Sequence, residues 1–144
     1  MAELGFIETR RFDMNIDALL NASPAVIIHT VCAFGALGLG TAMWLRKKGT
    51  PSHKMIGRIF VVFMAVTAFT ALFITGLNGD KYSWIHLFVP LTFYAIFQIF
   101  YFIRKKNVKR HESAARGLFF GALLIPGIAS FLPGRLLWHV ITGG

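Results

Sequence analysis

The sequence predicts an all-α integral membrane protein. The expected architecture is a four-helix bundle built from two parallel helical-hairpin repeats, with both termini outside. Three observations predict it. The 144 residues are 56% hydrophobic and 15% charged, with a mean hydropathy of +0.63. A soluble domain of this size needs more polar surface to cover its core. The apolar residues gather into four runs, each near the roughly 20 helical residues that cross a hydrocarbon core. The net charge of +9 sits between those runs, so a membrane is favoured as partner and nucleic acid is not expected.

In chain order, residues 1–24 form an N-terminal segment and residues 25–144 the four-span domain. Phe12, Ile16, Leu19 and Leu20 share one helical face, with Asp13 and Asp17 off it, which predicts a short helix lying in the outer interface. Residues 1–24 lack an apolar core, so no signal peptide is expected there. The spans are expected at about 25–45, 59–77, 84–103 and 117–132. The fourth is interrupted by Pro126 and Gly127, where a kink is expected. Gly35, Gly38 and Gly40 thin the first span, and Gly117-x-x-x-Gly121 opens the fourth. These small residues predict close helix packing within one bundle. Tyr82, Trp84 and Trp138 mark an outer aromatic belt and Trp44 an inner one. Cys32 is the only cysteine and lies in an apolar run, which excludes a disulfide framework and covalent haem attachment.

Direction follows from the cations. The first-to-second loop carries Arg46, Lys47, Lys48, Lys54 and Arg58. The third-to-fourth loop carries Arg104, Lys105, Lys106, Lys109, Arg110 and Arg116. The opposite side has only Arg10, Arg11, Lys81 and Arg135. Basic loops stay inside, so both termini are expected outside, in a multi-pass protein of the bacterial cytoplasmic membrane. Anionic lipid headgroups are the expected partners of the basic loops.

The halves resemble each other. Ile28-His29, an apolar stretch, Arg46-Lys47-Lys48, His53 and Arg58 match Ile85-His86, an apolar stretch, Arg104-Lys105-Lys106, His111 and Arg116. Both halves start outside, which predicts parallel repeats about an axis along the membrane normal. His29 and His86 then pair in an outer layer, and the loop histidines His53 and His111 pair in an inner one. His139 follows the fourth span on the outer side. Paired imidazoles on facing helices suit a metal or the iron of haem b, with His29 and His86 the first choice of ligands. Arg58 and Arg116 inside and Arg135 outside are the expected partners of its carboxylates. The alternative for each histidine is structural: an imidazole near an interface can bond a backbone carbonyl or snorkel to water.

Several of these elements resemble the domain-of-unknown-function 2306 family of predicted bacterial membrane proteins. They are Ile28-His29, the loop from Lys48 to Arg58 with its His53-x-x-x-Gly57-Arg58 element, Trp84-Ile85-His86-Leu87, His111 and Pro133-Gly134-Arg135. The resemblance covers the chain from about residue 25 onward. It implies the membrane topology and makes the histidines a signature of the family. Family members often carry a second basic residue and an aromatic after the fourth histidine; here His111 is followed by Glu112-Ser113-Ala114-Ala115-Arg116.

Three function classes remain. The leading expectation is b-type haem binding and transmembrane electron transfer, with a redox partner or quinone. The second is a small transporter or metal-binding protein, although no expected span contains Asp or Glu to couple ions. The third is an accessory subunit, with the aromatic third span as a contact surface. No phosphate-binding loop, His-Glu-x-x-His or Gly-x-Ser-x-Gly assigns an enzymatic reaction.

Overall fold

The computed structural model describes residues 21–74, 84–133 and 135–142. The expected interfacial helix, Lys81 and Tyr82 lie outside the described residues. Among those described, the secondary structure is entirely helical.

Helix α1 spans Pro24–Trp44. Pro24 sits at the start, where a missing N–H costs nothing. The N–H groups of Val26 and Ile27 both reach the Ser23 carbonyl, at 2.9 and 3.2 Å. Beyond α1 the chain turns through Gly49, whose φ of +81° suits a residue without Cβ. Helix α2, Pro51–Ala71, starts eight residues before the apolar run at Ile59. Its start is set by local chemistry. The Thr50 hydroxyl accepts from the His53 N–H at 3.2 Å and donates to the Lys47 carbonyl at 3.0 Å, and Pro51 follows as the first helical residue.

A 3-10 turn, Trp84–Leu87, leads into α3, Phe88–Arg104. Lys106, with φ of 54°, reverses the chain. The Asn107 side chain then caps α4 by accepting from the Arg110 N–H at 3.1 Å. Helix α4 runs from Val108 to Ala129. Its middle, Gly117–Leu124, is π-helical. The helical run continues through Pro126 in Ile125–Ala129, directly after this π-helical stretch. A proline ring crowds the carbonyl four residues back, here Ala122, and widened turns displace that carbonyl from α-helical register. Helix α5, Leu136–Thr142, ends the described chain.

The four long helices form a closed ring: α1 packs on α2, α2 on α3, α3 on α4, and the π-helical part of α4 on α1. Helices α1 and α3 therefore stand on a diagonal. The core joins Ala36 of α1, Phe60 and Met64 of α2, Ile99 of α3, and Leu118 and Phe119 of α4. Met64 and Leu118 are fully buried. One glycine of α1 permits the closure. A Cβ at Gly40 would collide with the Phe119 ring and come within 3.2 Å of Phe60. The expectation also holds at Gly35, where a Cβ would lie 3.6 Å from the Phe63 ring, and is corrected at Gly38, Gly117 and Gly121, where a Cβ would meet nothing within 4 Å.

The outer surface is apolar. Phe34, Val62, Phe69, Tyr94 and Phe97 are all more than half exposed. Pro24–Trp44, Pro51–Ala71 and Val108–Ala129 are long and apolar enough to cross a membrane, and Phe88–Arg104 is a shorter apolar helix of 17 residues.

Candidate functional site

The chemistry-bearing side chains gather at the two ends of the ring. At the basic end, His53 and His111 are not in loops, as their spacing suggested. Each sits in the first turn of a helix, α2 and α4. They are neighbours, and Lys48 also lies near the His53 imidazole. His53 is half-buried, and its Nδ1 is buried without a hydrogen-bond partner among the described residues. His111 Nδ1 lies 3.0 Å from the Ile99 carbonyl of α3. A carbonyl can only accept, so Nδ1 carries a proton, and in a neutral imidazole Nε2 is then the nitrogen with the lone pair.

Glu112 draws this end together. Its carboxylate takes Lys48 from the α1–α2 turn and Arg116, at 2.5 Å, from the next turn of α4. Arg116 also lies 5.8 Å over the Trp44 ring, which ties α4 to the end of α1. In the same turn region the Arg46 guanidinium donates to the Ser52 hydroxyl at 2.7 Å. The sequence reading quoted Glu112 only as a departure from the family pattern. The signal was there in the Glu112–Arg116 spacing of four on a helix. Arg116, expected to be available to a ligand, is thus engaged by Glu112. Arg58 is exposed on α2. Arg135 follows α4, partly buried, with its N–H 3.2 Å from the Leu132 carbonyl.

At the other end, His29 of α1 turns onto α2. Its Nδ1 lies 2.9 Å from the Thr67 carbonyl and 3.4 Å from the Thr70 hydroxyl. Thr70 in turn reaches the Val66 carbonyl at 2.8 Å. The carbonyl again places a proton on Nδ1, and in a neutral imidazole the lone pair is then on Nε2. Thr67 and Thr70 are buried, and Thr67 Oγ1 has no hydrogen-bond partner among the described residues. The sequence reading missed this threonine pair, three residues apart on one helical face. His86 is half-buried in the 3-10 turn before α3, at the same end as His29. His139 lies in α5. Among the described residues no three His, Cys, Asp or Glu side chains come together as a metal-holding group.

The sequence model of a predicted membrane protein family, DUF2306, matches residues 26–131. The chain belongs to this family. This DUF2306 protein, with its three apolar helices of spanning length, is an integral membrane protein. The matched range contains His29, His53, His86, His111, Arg58 and Arg116 of the DUF2306 chain, and it ends before Arg135 and His139. No curated protein and no solved structure matches the chain.

Proposed function

We propose that this DUF2306 protein binds b-type haem through paired histidines and carries electrons across the membrane. The observation that supports the reading best is the protonation pattern of two imidazoles. His29 and His111 each give their Nδ1 proton to a main-chain carbonyl of a neighbouring helix. Histidines that ligate metals are held in this way, with the second nitrogen free to bind. Sequence favoured the outer pair; this reading places the first haem at the inner pair. His53 neighbours His111, and its buried Nδ1 lacks a protein partner among the described residues.

Two imidazoles would meet what haem asks of a protein. Zinc takes three or four protein ligands, whereas haem brings its own equatorial nitrogens and asks the protein for one or two. His53 and His111 would hold one haem, and His29 with His86 a second in the other leaflet. Arg58 inside, and Arg135 outside, would face carboxylates. When bound, such a group exchanges one electron at a time with a redox protein or a membrane quinone. In this reading the four helices span the bacterial cytoplasmic membrane, with the eleven basic residues of the two loops inside.

The test is an optical spectrum of detergent-purified protein expressed with haem supply, oxidised and then reduced with dithionite. The expected outcome is a Soret band with resolved reduced bands, lost in His111→Ala and weakened in His53→Ala. Loss confined to His29→Ala and His86→Ala would move the site to the outer pair. A colourless, monodisperse and helical protein would overturn the reading and leave the imidazoles as ties between helices.

A further inference from the structure

We infer that one anionic phospholipid, from the leaflet on the basic side, seats between α3 and α4. Two concavities meet there. The larger is a groove of about 500 Å³ between the helices. Its walls include Leu91, Tyr94 and Ala95 of α3 and Ala114, Gly117 and Ala122 of α4, with Arg110 at the basic end. The smaller is a cup of about 260 Å³ formed by Lys109, Glu112, Ser113 and Arg116. Ser113 lines both, so the polar cup and the groove adjoin on α4.

The charge balance of the cup is positive. Lys48 and Arg116 already neutralise Glu112, which leaves Lys109 and Arg110 without a carboxylate partner among the described residues. The Arg110 guanidinium lies 5.5 Å over the Phe102 ring at the mouth of the groove, which fixes a cation where apolar wall meets water. The length of the groove also fits. From Leu91 to Phe102 the helix rises about 16 Å. That is close to half of a hydrocarbon core of about 30 Å, the share of one leaflet. Gly117 keeps the floor low, since a Cβ there would meet nothing within 4 Å. A phosphate-bearing head beside Lys109 and Arg110, with one acyl chain over Gly117, satisfies both concavities at once. Neither a free anion nor an uncharged chain does so. Basic pockets between spanning helices recognise lipid headgroups by this chemistry. The inference does not depend on haem.

The test uses the full chain in phosphatidylcholine nanodiscs containing a minor fraction of phosphatidylglycerol, with retained lipid read by native mass spectrometry. Wild type is expected to retain one phosphatidylglycerol in preference to phosphatidylcholine. Lys109→Gln/Arg110→Gln should lower that retention roughly tenfold or more. Gly117→Leu, which fills the groove without touching a charge, should lower it as well. Lys47→Gln/Lys54→Gln removes two cations from the other basic loop and should leave it unchanged. Equal loss in the Lys47/Lys54 variant, or full retention by Gly117→Leu, would reduce the effect to diffuse attraction and overturn the site. A dimer that Gly117→Leu splits and phosphatidylglycerol does not would assign the groove to a second copy, which also overturns it.

Discussion

Gly38 and Gly40 stand two positions apart on α1 and carry opposite consequences. At Gly40 a methyl group meets the Phe119 ring, so Gly40→Ala forces the core to shift. Overpacking of this kind costs about 1–3 kcal/mol. At Gly38 nothing lies within 4 Å, so Gly38→Ala should stabilise by about 0.5–1 kcal/mol through reduced backbone freedom. Thermal unfolding of the detergent-solubilised protein, followed by loss of helical signal, separates the two. Equal shifts would show that Phe119 does not seat against α1. The sequence offered both glycines as equal candidates for close approach, because residue identity does not say which face of a helix meets a neighbour. The same limit governed the histidines. Their spacing predicted two layers. It could not show that His29 and His111 each spend a proton on a carbonyl, since the partner is backbone and depends on helix rotation.

At the level of elements, apolar runs located the middles of the helices and not their beginnings. Helices α2 and α4 start at Pro51 and Val108, while hydropathy placed the second and fourth spans from Ile59 and Gly117. The difference is capping chemistry. Thr50 and Asn107 each accept a main-chain N–H three residues on, and this works in any solvent polarity. The two connections are alike in build: a left-handed residue, Gly49 or Lys106, then a capped start that carries a histidine in its first turn. Thr50→Ala should therefore cost about 1 kcal/mol of stability. It should also loosen His53, read as faster exchange of the His53 and Lys54 amides with α3 and α4 unaffected. Unchanged exchange would mean that Pro51 alone sets the start. The π-helical stretch of α4 was not legible, because Pro126 announces a perturbation but not the turns that absorb it.

For the whole molecule, composition sufficed for the all-helical membrane class, and the cations between apolar runs gave an expected direction. The order of neighbours around the ring was not legible, since every apolar face looks alike in lipid. Orientation can be tested directly. In a Cys32→Ser background, Thr142→Cys should react with an impermeant maleimide on intact cells, and Lys105→Cys only after permeabilisation. The reverse pattern would invert the topology, and labelling of both in intact cells would require an even number of crossings between them.

Closure of the ring also has a schedule. Helix α1 leaves the ribosome first, yet its second neighbour is the stretch around Phe119, some 75 residues behind Trp44. At ordinary rates of synthesis that interval is on the order of ten seconds. During it the flank of α1 around Ala36 and Gly40 faces lipid, which a helix tolerates because its backbone groups are already satisfied. The α1–α2 hairpin is therefore made well before Phe119 reaches the slot above Gly40 and closes the ring.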